Sequence, residues 1–120
     1  MATILIIDDN RDFITVTEKR LTANGFNVES ACDTEKGTEL IDAVRPDLII
    51  LDVLMPGTDG MTFCAKLKTS KAYKDIPVII VTSKDSDIDR EIGQMVKADA
   101  YLIKPVNMDS LIRKITELLG

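Results

Sequence analysis

Five short apolar runs punctuate the chain, at residues 4–7, 28–31, 48–51, 78–81 and 100–103. Four are nearly continuous and rich in Ile, Leu and Val, as expected of strands covered on both faces. The run at 28–31 is interrupted by Glu29 and Ser30, which predicts an exposed edge strand. Helical periodicity fills the intervals. Met108, Leu111, Ile112, Ile115, Leu118 and Leu119 fall on one face of a final helix, with Arg113, Lys114 and Glu117 opposite. Phe13, Val16 and Leu21 mark a first helix that Gly25 ends. Gly37, Leu40, Ile41 and Val44 mark a second, closed by Arg45-Pro46, and Met61, Cys64, Ala65 and Leu67 a third. Ile88, Ile92, Met95 and Val96 mark a fourth, weakened by Gly93 within it. Asp33 or Thr34, Asp59, Ser86 or Asp87, and Asn107 stand where N-caps belong. Strand and helix alternate five times, which predicts an α/β domain with a parallel sheet and helices on both faces, joined by right-handed crossovers.

Composition narrows what such a domain does. The 120 residues fit one domain, expected over 1–120, and 45% hydrophobic with 29% charged residues is ordinary for a globular protein. Twenty acidic against fifteen basic residues give a net charge of −5, which argues against unaided binding to nucleic acid or anionic lipid. Cys32 and Cys64 offer neither metal-ligand spacing nor a disulfide framework, and both are expected as reduced core residues. No stretch approaches the roughly 20 apolar residues of a membrane span, and Asp8-Asp9 cuts short the opening apolar run. Neither a membrane anchor nor a signal peptide is expected, and the default location is the cytoplasm.

Open parallel sheets place their sites at the carboxyl ends of the strands. There stand Asp8 and Asp9 after the first strand, Asp52 after the third, Thr82-Ser83 at the end of the fourth and Lys104-Pro105 after the fifth. An acid at a strand end is common in any loop. Acids, hydroxyl and amine converging from four strands on one rim are not. Three crowded carboxylates repel, and one would take up a proton unless a cation intervened. A hard divalent ion is the remedy, and Mg²⁺ suits a site of one or two carboxylates that also receives phosphate oxygens. A carboxylate nucleophile beside such an ion, with a lysine and a hydroxyl to position the group, is a phosphoryl acceptor.

Ile6-Ile7-Asp8-Asp9-Asn10, then Leu51-Asp52-Val53-Leu54-Met55-Pro56-Gly57-Thr58-Asp59-Gly60, then Val81-Thr82-Ser83 and Tyr101-Leu102-Ile103-Lys104-Pro105 carry a resemblance. The chain resembles, over essentially its whole length, a response-regulator receiver domain of two-component signalling, the family of the chemotaxis regulator. The resemblance implies a flavodoxin-like (βα)5 sandwich with sheet order 2-1-3-4-5. It implies that Asp52 is the phosphoacceptor and that Asp8, Asp9, Asp52 and the Leu54 backbone carbonyl hold Mg²⁺. Thr82 and Lys104 would contact the phosphoryl oxygens, Tyr101 would report the state by its rotamer, and Pro105 would follow a cis bond. The implied donor is a histidine kinase or histidine phosphotransfer protein. The implied output is a shift of the surface formed by the fourth helix, fifth strand and fifth helix, read by an unknown target. The molecule would be a monomer or a phosphorylation-dependent dimer, and a signalling acceptor rather than a turnover enzyme. Side chains at Leu54 and Lys84 would set water access and thus the lifetime of the phosphoryl group.

Asp59 is better read as a helix cap than as a metal ligand, and Gly60 as easing the entry to the third helix. One departure from the family pattern stands before the fifth strand. Gly-Ala-Asp or Gly-Ala-Asn is common there, whereas this chain has Lys97-Ala98-Asp99, so Lys97 must take a less comfortable backbone or the helix must end differently. A dehalogenase-type phosphatase would want an acid two residues after Asp52, where Leu54 stands, and the glycine patterns of nucleotide-binding loops are absent. A receiver-like scaffold that never takes phosphate would have no need of the three acids, Thr82 and Lys104.

Overall fold

The computed structural model describes residues 1–55, 59–83 and 96–120. Five strands, β1 (Thr3–Ile7), β2 (Asn27–Ala31), β3 (Leu48–Leu51), β4 (Val78–Thr82) and β5 (Ala100–Ile103), pair in parallel in the order β2-β1-β3-β4-β5. Among the described residues the helices are α1 (Arg11–Ala23), α2 (Thr34–Val44), α3 (Gly60–Thr69) and α4 (Met108–Leu119), the last being the fifth helix expected from the pattern. The fourth expected helix, with Ile88, Ile92 and Met95 and the candidate caps Ser86 and Asp87, lies outside the described residues.

The continuous apolar runs resolve into two alternating sets. Leu5, Ile7, Ile49, Leu51, Val78 and Ile80 face the side on which Ile41 of α2 and Cys64 and Leu67 of α3 pack. Ile4, Ile6, Leu48, Ile50, Ile79 and Val81 face the other side, against Ile14 and Leu21 of α1 and Leu111 and Ile115 of α4. Each fully buried side chain of this size contributes roughly 1.5–3 kcal/mol, so the three central strands are the stable heart of the domain. The outer strands differ: β2 alternates exposed and half-buried residues as its sequence predicts, and β5 is half-buried throughout because it forms the other edge.

Helix ends follow local chemistry. Asn10, Asp33, Asp59 and Asn107 each accept a hydrogen bond from the backbone N–H three residues on, at 3.1, 2.8, 3.1 and 3.0 Å, satisfying donors that the first turn leaves open. α1 ends before Gly25 at φ 89°, and α2 ends on Arg45 at φ 51°. Two expectations need correction. The buried face of α1 is Ile14, Thr17 and Leu21, while Val16 is exposed. Thr17 is apolar enough in its methyl group to face the core, although its hydroxyl has no hydrogen-bond partner there. Cys32 is exposed, because it follows the last residue of the edge strand β2 and precedes the α2 cap. Cys64 alone is in the core, where burial pushes its thiol up to about 11.

The end of the sheet away from the rim is fastened by a polar clasp. Lys68 Nζ donates to Asp99 Oδ2 (2.9 Å) and to the Ile76 carbonyl (3.1 Å), and the Val78 N–H donates to the same Asp99 oxygen (2.8 Å). The chain reaches Asp99 through Lys97, whose φ of 63° is left-handed, the first of the two alternatives that the missing glycine left open. An L-residue pays roughly 1–2 kcal/mol there, and glycine returns part of the gain as chain entropy. Lys97→Gly is therefore expected to stabilise the fold by about 0.5–1 kcal/mol, measured as a higher urea midpoint at constant m-value. A midpoint unchanged or lowered would contradict the strain.

Candidate functional site

The rim residues continue the sheet. Asp8 N–H donates to the Ala31 carbonyl (3.0 Å), Asp52 N–H to the Ile7 carbonyl (2.9 Å) and Lys104 N–H to the Thr82 carbonyl (2.8 Å). The ladder thus runs one residue beyond β1, β3 and β5 and fixes three side chains at their roots. Alternation then aims them. Asp8 follows Ile4 and Ile6, Asp52 follows Leu48 and Ile50, and Lys104 follows Ala100 and Leu102, all on the α1 and α4 side. Thr82 follows Val78 and Ile80, and Tyr101 packs with that set, on the opposite side.

Asp8 and Asp52 are 1% and 5% exposed, whereas Asp9 is exposed to solvent. One carboxylate oxygen from each of the three lies within 4.8 Å of the others. Lys104 Nζ donates to Asp8 Oδ2 at 2.8 Å and to Asp52 Oδ2 at 3.3 Å. The remaining oxygens of the buried pair are also occupied: the Asn10 N–H donates to Asp8 Oδ1 (2.8 Å) and the Leu54 N–H to Asp52 Oδ1 (2.9 Å). Burial raises the Asp8 carboxyl above the usual carboxylate value and the charge of Asp52 adds to this, with Lys104 and the Asn10 amide opposing. For Lys104 burial alone would lower the ammonium's pKa, but its bonds and attraction to Asp8 and Asp52 outweigh it and the net direction is upward.

The charges do not balance. Among the described residues, three carboxylates face one ammonium, and the deficit is that of a divalent cation. The donors are all hard oxygens, with one exposed acid left on the solvent side where an ion would enter, so Asp8, Asp9 and Asp52 fit a hard divalent metal. Leu54, proposed to contribute its carbonyl, is held through its N–H to Asp52, while its side chain is 44% exposed.

Thr82 is fully buried at the end of β4, opposite Ile103 of β5. Tyr101 is half-buried beside Ile80. The Lys104-Pro105 peptide is cis. Gly60 does more than ease a turn, because a Cβ there would lie 2.4 Å from Val53 Cα; the start of α3 rests directly on the backbone that follows Asp52. Asp59 accepts from Thr62 N–H and Oγ1, the bonds that also hold its carboxyl below the usual range, and it is a cap as expected. Residues 56–58 and Lys84 are outside the described residues. Two contributors escape a reading by residue type. Asn10 acts through its backbone N–H, and Phe13 places its ring 4.5 Å from Lys104 Nζ. The available signal for Phe13 was its place in the first turn of a helix that begins at the rim.

Comparison with known proteins agrees with this geometry. Residues 4–116 match the response regulator receiver domain family. The response regulator MprA of Mycolicibacterium vanbaalenii is 36% identical over 116 residues, 97% of this chain and 49% of that protein. The transcriptional regulatory protein AfsQ1 of Streptomyces coelicolor is 36% identical over 118 residues, 96% of this chain and 51% of that protein. The chain therefore spans about half the length of these relatives. Among solved structures, a CheY-like response regulator receiver domain protein from Methanospirillum hungatei superposes with a TM-score of 0.91 at 30% identity, covering 99% of this chain and 94% of that one. The signal receiver domain of a DNA-binding response regulator from Colwellia psychrerythraea gives 0.93 at 27%, covering 99% and 98%. The sheet order, the acid cluster and the family match agree: the chain belongs to the response regulator receiver domains of two-component systems.

Proposed function

We propose that Asp52 accepts a phosphoryl group from a histidine kinase or histidine phosphotransfer protein, with Mg²⁺ held by Asp8, Asp9, Asp52 and the Leu54 carbonyl. The observation that carries this reading is the Asp52 carboxylate itself. It is nearly buried, gripped at Oδ1 by the Leu54 amide and at Oδ2 by Lys104, and has two further carboxylates within ligand-sharing distance. Such a group is oriented but not neutralised, as a nucleophile must be.

An Asp52 oxygen attacks phosphorus in line. The P–O bond forms as the P–N bond of a phosphohistidine breaks, and the departing imidazole keeps the electron pair and takes up a proton from water. When bound, Mg²⁺ supplies charge neutralisation for the phosphoryl oxygens. Lys104 is already at Asp52 and needs little movement to pair with a phosphoryl oxygen, and the Thr82 hydroxyl is the second donor. The chain acts as an acceptor that is used once per phosphorylation rather than as a turnover enzyme. The signal passes to a target protein or domain through the surface that includes Tyr101. Among the described residues no helix is long and apolar enough to cross a membrane, and we assign the domain to the cytoplasm with its kinase's catalytic part.

Three outcomes test the reading. Incubated with Mg²⁺ and a small phosphodonor, the protein should gain one phosphoryl mass, which Asp52→Asn or chelation of the metal abolishes; an equal gain in Asp52→Asn would refute the assignment. Metal affinity should also depend on pH with a defined sign. Mg²⁺ binds the deprotonated carboxylate, and Asp8 holds its proton to higher pH than the ordinary 3.8. The rise in melting temperature caused by Mg²⁺ should therefore shrink from about pH 7.5 to about pH 5. In metal-free protein the sign is opposite. The folded state binds the Asp8 proton more tightly than the unfolded state, so this group adds stability as pH falls through its raised folded value toward 3.8. A Mg²⁺ shift that grows on acidification would contradict the first, and metal-free stability is checked separately by its own pH dependence. Finally, the Leu54 side chain is exposed beside Asp52 and has no polar atom to orient water. Leu54→Asn should change the decay rate of phosphorylated Asp52 by about tenfold, within the range of general catalysis by a positioned polar group; an unaltered decay would remove Leu54 from the account.

A further inference from the structure

Phe13 was expected only as a core marker, and it does pack partly into the cluster between the sheet, α1 and α4. Its ring also stands over the Lys104 ammonium at the acid rim, with Nζ 4.5 Å from the ring centroid. That distance is inside the range of a cation–π contact. The ammonium has three N–H donors. Asp8 Oδ2 and Asp52 Oδ2 accept on one side, and the ring presents its negative face on another. Phe13 and Lys104 both line a cavity of about 550 Å³ bounded by Asn10, Val16, Pro105 and Met108. The ring thus takes up one side of the ammonium where water would otherwise stand, and the Lys104 side chain is only 15% exposed.

We propose that Phe13 is a positioning residue for the phosphorylation of Asp52: it holds the Lys104 ammonium, partly stripped of water, at the place where charge develops on the incoming phosphoryl group. This inference rests on the proposed function and extends it to a residue of the first helix. A lysine is a compact, strongly hydrated charge on a flexible stem, and left to water it samples many positions. An ammonium whose donors are all directed by protein has little reorganisation to undergo when the phosphoryl oxygen arrives. The ring attracts the cation without neutralising it and without competing as a hydrogen-bonding anion, so the lysine stays available to the phosphoryl group. A leucine at this position would fill similar space and leave the ammonium to solvent.

The test is a double-mutant cycle on the rate of Asp52 phosphorylation by a small phosphodonor with Mg²⁺, followed by intact mass. Phe13→Leu should slow the reaction by roughly three- to tenfold, the factor a partly desolvated cation–π contact carries, with urea denaturation checking that the variant is folded. Phe13→Tyr, which keeps the ring face, should restore the rate. In a Lys104→Met background, followed over longer times, Phe13→Leu should have no further effect, because the two residues act as one unit. A packing role alone would give the same loss with or without the lysine. Phe13→Leu reacting at the wild-type rate, or its loss persisting in full in Lys104→Met, would overturn the proposal while leaving the function of Asp52 intact. A wild-type protein that gains no phosphoryl mass would remove both together.

Discussion

Two carboxylates that are almost completely withdrawn from water stand at the ends of adjacent strands, and the lysine that reaches them from the edge strand donates to both. Desolvation of Asp8 and its repulsion by Asp52 favour protonation of Asp8, while the Lys104 ammonium and the Asn10 amide favour the anion. Removing one member of a buried set of this kind typically costs several kcal/mol, because it leaves a charge without compensation. The ensemble is nevertheless a poor stabiliser, since well-packed apolar residues in its place would do as well or better. Its presence is explained by what the charge deficit can bind.

Such a rim requires a support that does not yield, and the sheet supplies it by two devices. Hydrogen bonds of the parallel ladder continue one residue past the strands, so Asp8, Asp52 and Lys104 leave the backbone at fixed points. Beneath them, strictly alternating Ile, Leu and Val residues pack against helices on both faces. At the far end, Lys68, Asp99 and the Val78 amide tie α3 to the starts of β4 and β5. The strand bearing Thr82 and the strand leading to Lys104 are thus tied together at both ends, by the Asp99 contacts below and by the Lys104 N–H to the Thr82 carbonyl above.

Most of this was legible in the sequence because the relevant signals are local. Continuous apolar runs, capping Asp and Asn residues and the acids that end the runs specify strands, helix starts and rim positions without tertiary knowledge. At Lys97 the departure from the family's glycine left two alternatives, a strained backbone or a different helix end, and the backbone is left-handed. What escaped was set by neighbours. Val16 and Thr17 differ in exposure against their polarity, because the angle at which α1 lies on the sheet decides which face is covered. Cys32 is outside because β2 ends one residue earlier at an edge. Phe13 and the Asn10 amide belong to the site through ring position and backbone direction, neither of which a residue type records.

The division of the rim between the two faces of the sheet constrains how an event at Asp52 could reach a partner. Asp8, Asp52, Lys104 and Phe13 lie toward α1 and α4, whereas Thr82 and Tyr101 lie toward the other layer. No side chain of the first group needs to cross the sheet, because the Lys104 N–H is bonded to the Thr82 carbonyl. Shifting a two-state equilibrium from mostly off to mostly on takes about 5 kcal/mol of differential interaction, and a single charge-assisted hydrogen bond supplies roughly 1.5–3 kcal/mol. One contact to a phosphoryl oxygen is therefore too weak to switch the domain. On the proposed function Lys104 and Thr82 would respond together, coupled by the backbone bond between them. A phosphoryl group on Asp52 would act on both faces at once, and the Tyr101 side would feel it through β4 and β5 as a pair.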